Sequence, residues 1–155
     1  MIEEFKNLNS EEAELMYKAP LLVSILIAGA DEEIDKAELN EAVSLSKLKK
    51  ITAREDLDEY YEVVSSDFEE KVEALIHQYP EKVEQRNKEI ITELEKLNDI
   101  LPKLDKKFAL EFYESIKDMA KKIAESSGGI LGYMAVGYEE SKLIKLPMIK
   151  DPAQY

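Results

Sequence analysis

Residues 21–38 read LLVSILIAGADEEIDKAE, an apolar run that ends in a cluster of acidic side chains. Ser24 is the only polar side chain between residues 21 and 30. A helix that is apolar on every side is typical of the centre of a helical bundle, because it leaves no face for water. We therefore expect this segment to be the most buried element of the fold.

The acidic cluster that follows raises an electrostatic question. Residues 31–41 contain one base, Lys36, and six acids, which are Asp31, Glu32, Glu33, Asp35, Glu38 and Glu41. The C-terminal end of a helix carries partial negative charge, so carboxylates placed there need a positive partner. A metal ion, a lysine side chain or the amino end of the next helix could provide it.

Helical spacing extends from this stretch in both directions. Upstream, Asn9 and Glu12 have the spacing of a capping box, which predicts a helix from there towards Ala30. Pro20 should either kink this helix or begin a second one. Downstream, helical patterns occupy residues 35–50, 54–79, 83–101 and 105–126, followed by a short helix at about residues 132–145.

The fold class follows from this pattern. No segment alternates with a period of two, and the 155 residues include only five Gly and five Pro, so helix is favoured over sheet. We expect an all-α, single-domain bundle of about five to seven helices over residues 1–155. Residues 1–9 would form an N-terminal segment and residues 146–155 a packed tail. Residues 54–79 and 83–101 predict an antiparallel helix pair about 35 Å long.

A short internal similarity suggests duplication. Residues 123–130 align with residues 27–34, with Ile-Ala at the start and Ile at the end of both segments. Two degenerate helical-hairpin repeats would produce this pattern. In the second copy Ser127 stands in the position of Asp31, so we expect any ion site in that copy to be weak or absent.

The composition excludes several classes of function. A net charge of −13 repels phosphate backbones, so we expect no nucleic-acid partner. The absence of cysteine removes disulfides, thiolate catalysis and zinc–thiolate sites. His77 is the only histidine and lacks the Glu-x-x-His spacing of di-iron bundles, so we expect a non-enzymatic protein. No apolar run reaches the roughly 20 residues of a membrane span, and the N-terminus lacks a secretion signal, which predicts a cytoplasmic protein.

The acidic turn also carries a family resemblance. Residues 30–38, with the pattern A-D-x-x-I-D-x-x-E after an apolar helix, resemble the motif of the TerB-like domains. These domains are linked to tellurite resistance and other stress responses, and their usual motif is A-D-G-x-I-x-x-x-E, commonly in two copies. The resemblance covers residues 13–50 and implies an all-helical bundle whose acidic loop can bind divalent cations. Glu32 replaces the family's glycine, which costs about 1 kcal/mol if that position has positive φ.

The resemblance assigns the ion site by position. The matching acids are Asp31, Asp35 and Glu38. Oxygen ligands with no His or Cys nearby suit Ca²⁺ or Mg²⁺, and no other cofactor is predicted. The loop is not an EF-hand, because Lys36 replaces the required glycine. A structural role explains the same residues, with Asp35 as an N-cap, Glu38 as its capping-box partner and Asp31 in a turn. The residues leave both alternatives open.

One function and one alternative follow. We expect a non-enzymatic, TerB-like domain related to stress response or tellurite resistance, which binds a protein partner and, through the acidic turn, a divalent cation. The alternative is a metal-free helical scaffold or adaptor that acts only through protein–protein contacts, with the apolar residues 143–149 in its interface. Self-association into a homo-oligomer is compatible with both.

Overall fold

A computed structural model of the protein describes residues 2–29, 40–45, 55–126 and 142–154. No residue in these ranges belongs to a β-strand. The α-helices are α1 (Ser10–Ala28), α2 (residues 40–45), α3 (Glu55–Ser65), α4 (Phe68–Gln78), α5 (Val83–Glu95), α6 (Leu97–Ile100) and α7 (Lys106–Ser126). Short 3₁₀ helices span Glu3–Phe5, Leu101–Lys103 and Pro152–Gln154. The protein is a small all-α, single-domain bundle, which confirms the predicted fold class.

Helix α1 lies at the centre of this bundle. It contacts α3, α4, α5, α6 and α7, and its most extensive contact is with α7. Every residue from Ala19 to Ala28 is buried. Burying one large aliphatic side chain contributes about 1.5–3 kcal/mol, so this helix supplies much of the apolar driving force. The prediction that the apolar run is the most buried element is confirmed for the described residues.

The start of α1 is the predicted capping box. The Glu12 backbone N–H donates to Asn9 Oδ1 at 2.8 Å, and the Asn9 N–H donates to Glu12 Oε1 at 3.0 Å. Lys103 Nζ donates to the other carboxylate oxygen of Glu12 at 2.6 Å. This hydrogen bond, assisted by the one from Asn9, lowers the pKa of Glu12. The cap therefore also connects α1 to the 3₁₀ turn before α7.

Pro20 lies inside α1 without ending it. Since proline has no N–H, the carbonyl of Met16 loses the donor that residue 20 would normally provide. The hydroxyl of Tyr60, on α3, donates to that carbonyl at 2.5 Å, and both residues are fully buried. One turn later, Ser24 Oγ donates to the Pro20 carbonyl at 2.7 Å. The helix continues through the proline because a side chain from another helix replaces the missing donor.

An aromatic cluster surrounds the Tyr60 ring and holds its hydroxyl in place. The ring centroids of its partners lie 4.9–6.1 Å away, mostly in edge-to-face geometry, and these partners are Phe5, Tyr17, Tyr61, Phe108 and Phe112. Burial raises the pKa of Tyr60 well above its usual value. The hydroxyl therefore stays protonated and remains a donor.

The predicted long helices are interrupted. The single helix predicted at residues 54–79 is replaced by α3 and α4, because Asp67 between them adopts a left-handed conformation with φ of 55°. Ser66 N–H donates to the Val63 carbonyl in the turn that ends α3. Aspartate tolerates this conformation better than most residues, since its short polar side chain bonds locally. Residues 83–101 are also divided, at Lys96. The predicted pair of continuous 35 Å helices is therefore wrong.

Other predicted elements are met in part. Helix α7 begins at Lys106, one residue after the predicted start, and Asp105 Oδ2 accepts from the Phe108 N–H at 3.4 Å. Residues 142–154 pack back onto the bundle, with Leu146 and Ile149 buried. Most of the short helix predicted at residues 132–145 lies outside the described residues, as does the turn of the proposed second repeat.

The role of Tyr60 can be tested with a double-mutant cycle. Tyr60→Phe leaves the buried Met16 carbonyl without its donor, so we expect a loss of about 1–3 kcal/mol in the free energy of unfolding. Pro20→Ala restores a backbone N–H at residue 20, and in that background Tyr60→Phe should cost at least about 1 kcal/mol less. Urea denaturation of the four proteins measures both values. Tyr113→Phe is the matched control, and equal costs in both backgrounds would contradict the assignment.

Candidate functional site

The predicted cation ligands lie just beyond a well-described helix end. Asp31, Asp35 and Glu38 fall outside the described residues. Within the described ranges, no group of three or more His, Cys, Asp or Glu side chains is placed to hold a metal ion. The last residues of α1 immediately precede the acids in sequence.

An arginine meets the C-terminal end of α1. Arg86 Nη2, on α5, donates to the carbonyl of Gly29 at 2.7 Å. That carbonyl belongs to the last turn, where intrahelical donors run out. The positive guanidinium lies where the helix carries partial negative charge, which adds an electrostatic contribution to the hydrogen bond. Arg86 thus caps the C-terminal end of α1, although it lies 57 positions further along the sequence.

The Arg86 side chain is itself deeply buried. Only 4% of the residue is exposed, and burial lowers its pKa. Its Nε atom has no hydrogen-bond partner among the described residues. A buried charge is costly unless it is paired, so the bond to Gly29 recovers part of a substantial desolvation cost.

This arginine was missing from the alternatives drawn from the sequence. A metal, a lysine and a helix amino end were considered as positive partners, but the helix end is met by Arg86. The buried face of α5 consists of Arg86, Ile90 and Leu94. The spacing of four from residue 86 to 90 to 94 is the signal that could have identified the arginine.

Gly29 leaves room for the close approach of Arg86. A Cβ at this position would lie 2.5 Å from Arg86 Nη2 and 3.0 Å from the Ile25 carbonyl oxygen. The backbone torsion of Gly29, φ of −107°, is accessible to any residue. Glycine therefore matters at this position for the space that its missing side chain leaves, and not for an unusual backbone conformation.

A cleft beside α1 has a mostly apolar lining. It encloses about 320 Å³ between α1, α3 and α4. Its apolar lining includes Tyr17, Leu21, Val63, Val64, Ala74 and Leu75. Val63 is 39% exposed and is the only large hydrophobic side chain classed as exposed in the described ranges. The charged side chains that line the cleft are Glu14, Lys18 and Lys71.

A second, polar cavity lies beside the N-terminal half of α1. It encloses about 380 Å³, and its charged lining is Glu11, Glu12, Glu14, Lys18, Glu93, Lys96 and Asp99. Two lysines stand among these acids, and Lys96 pairs with Glu93 at 3.2 Å. The acids are therefore partly neutralised within the protein. His77 is exposed in the last turn of α4 and lines neither cavity.

Comparisons with known proteins provide no relative. No protein family, curated protein or solved structure matches the chain. None of the helices in the described ranges is both long and apolar enough to cross a membrane.

The contact between Gly29 and Arg86 gives a second prediction. Gly29→Ala should push the guanidinium off the helix end and lower the free energy of unfolding by about 1–3 kcal/mol, the usual range for overpacking. In an Arg86→Met background the same change should cost much less, or stabilise slightly by reducing chain entropy. Thermal and urea denaturation measure this difference. Equal costs in both backgrounds would assign the requirement to the Ile25 carbonyl instead.

The predicted cation site is tested by calorimetry. Titration of the full chain with Ca²⁺, Mg²⁺ and Mn²⁺ should release or absorb heat, and the Asp31→Asn/Asp35→Asn/Glu38→Gln variant should show none. At a cation concentration 100 times the Kd, the free energy of unfolding should rise by about 2.7 kcal/mol. Absence of heat together with an unchanged melting temperature would leave the structural role as the remaining explanation.

Proposed function

We propose that this protein is a non-enzymatic helical domain that binds a protein partner through the cleft between α1, α3 and α4. The observation that carries the proposal is the exposed Val63 at the edge of an apolar cavity. An apolar cleft that is open to water favours an apolar occupant, because contact buries the facing surfaces and removes them from water. The volume of the cleft suits one large apolar side chain of a partner.

The charges of the protein suggest the chemistry of the partner. A net charge of −13 draws basic segments towards the domain and repels acidic ones. At the cleft itself one acid, Glu14, stands beside two lysines, Lys18 and Lys71, so the preference for a basic partner comes from the charge of the whole protein. The expected partner is therefore a basic amphipathic helix that presents one large apolar residue to the cleft.

The titratable groups support binding over catalysis. Perturbed pKa values tend to gather at catalytic sites. In the described ranges the shifted groups are Glu12, Tyr60, Tyr61, Tyr79 and Arg86. None of them lines the cleft. Their shifts arise from the cap of α1, from the aromatic core and from burial at the helix ends.

The stress-response setting rests on the resemblance of residues 30–38 to TerB-like domains. The cleft does not require an ion, so the proposal covers both the cation-binding and the metal-free scaffold alternatives. Sensitivity of partner binding to a chelator separates them, since only a cation-dependent domain would lose affinity.

The cleft is tested with model peptides of defined chemistry. An amphipathic Leu/Lys helix, titrated into the full chain at low salt, should shift the NMR methyl signals of Leu21, Val63, Val64 and Leu75. Its affinity should exceed that of a Leu/Glu peptide of the same pattern by at least tenfold and should fall as salt rises.

The matched variants are Val63→Glu, which fills the cleft edge with charge, and Val83→Glu, at a partly exposed valine on α5. Val63→Glu should weaken peptide binding at least tenfold, while Val83→Glu should leave it within twofold. Equal effects of the two variants, or shifts away from the cleft, would contradict the proposal.

A further inference from the structure

An asparagine holds the C-terminal segment of the chain by its backbone. We call residues 142–154 the tail. Asn98 Nδ2, on α6, donates to the Met148 carbonyl at 2.9 Å, and the Lys150 N–H donates to Asn98 Oδ1 at 2.7 Å. One side-chain amide thus pairs with a C=O and an N–H two residues apart, as a neighbouring β-strand would. This contact recognises peptide backbone and is independent of the side chains of the segment bound.

Three evenly spaced side chains anchor the tail. Leu146, Ile149 and Pro152 are buried, at intervals of three residues, and the residues between them are exposed or partly exposed. The last turn of the tail, Pro152–Gln154, contacts α7. We call the surface that holds the tail the tail groove. It includes Asn98 and the part of α7 that contacts Pro152–Gln154. The pattern of backbone pairing and spaced apolar anchors is the one by which proteins bind short peptides.

The bound tail is strained at its first anchor. Leu146 has φ of 47°, a left-handed conformation that is unfavourable for a leucine, although its side chain is fully buried. Such a conformation costs free energy in any residue that carries a Cβ. The tail is therefore held less tightly than its contacts alone would hold it. Its covalent connection to α7 runs through residues 127–141, which contain four of the five glycines of the chain.

We propose that the tail groove is a peptide-binding site, that the chain's own tail is its tethered occupant, and that the tail of a second copy of the chain can replace it. The second copy is the occupant that fits, because it brings the same two aliphatic anchors, the same proline and the same backbone. Exchange of an identical element between protomers makes no new contact and requires no new surface. This surface is separate from the cleft between α1, α3 and α4.

The tether decides which tail is bound. A tail attached to its own groove acts at an effective concentration of the order of millimolar, so it outcompetes a second copy at micromolar concentration. The wild-type chain should therefore be monomeric in dilute solution. A chain whose own tail cannot bind should accept the tail of another.

A complementation experiment tests the exchange on full-length chains. Ile149→Asp places a charge at a buried anchor and leaves the tail groove vacant, while Asn98→Ala weakens the groove and frees an intact tail. Each variant alone should scatter light as a monomer, and an equimolar mixture should contain the heterodimer. Replacing Asn98→Ala by Asn87→Ala, a matched change on α5, should leave the mixture monomeric.

A labelled peptide of residues 142–155 tests the groove directly by fluorescence anisotropy. It should bind the Ile149→Asp chain at least tenfold more tightly than the wild-type chain. It should bind the Ile149→Asp/Asn98→Ala chain at least tenfold more weakly than the Ile149→Asp chain. Monomeric mixtures together with absent peptide binding would overturn the proposal.

Amide exchange of the wild-type chain covers the case in which Ile149→Asp does not fold. The N–H groups of Ile149, Lys150 and Gln154 are hydrogen-bonded within the tail or to Asn98. If the tail is a releasable occupant, these amides should exchange through an opening that leaves α1 protected. Exchange of the tail and α1 amides only through the same global unfolding would overturn the proposal.

Discussion

A helix buried on all sides cannot leave a backbone polar group to water, and two described carbonyls of α1 and its C-cap accept from side chains of other helices. One is the Met16 carbonyl, which loses its donor to Pro20. The other is the Gly29 carbonyl at the C-terminal end. Tyr60 from α3 and Arg86 from α5 supply the missing donors. Each unmet group would cost about 1–3 kcal/mol, a large part of the stability of a small domain. These two bonds therefore fix where α3 and α5 lie against α1.

This dependence explains what could be predicted from the sequence and what could not. The cap at Asn9, the burial of α1 and the start of α7 follow from local spacing, so sequence reasoning found them. The donors for Met16 and Gly29 come from 44 and 57 positions away, and no local pattern identifies them. The break at Asp67 was missed for another reason. The apolar spacing continues across it, so the periodicity conceals the turn.

The hydrogen bond from Arg86 changes the electrostatic argument about the acidic residues 31–38. The sequence suggested that the carboxylates after α1 require a positive partner of their own. The end of α1 already receives a buried guanidinium, so the helix itself adds less repulsion to a carboxylate placed beyond it. That reduces the electrostatic reason for an ion there, and it leaves the family resemblance as the main support for a cation site. A side chain added at residue 29 would likewise meet the arginine first.

The hydrogen bond from the Tyr60 hydroxyl to the Met16 carbonyl also positions the proposed binding cleft. Tyr60 donates to Met16, and within about one turn of that bond lie Val63 and Val64 on α3 and Tyr17 and Leu21 on α1. These residues line the cleft. The separation of the two helices there is set by the bond and the rings around it, and α4 completes the lining after the turn at Asp67. Loss of the Tyr60 hydroxyl should therefore disturb the cleft as well as the stability of α1. A core interaction and the surface proposed for partner binding are, in this fold, one structural unit.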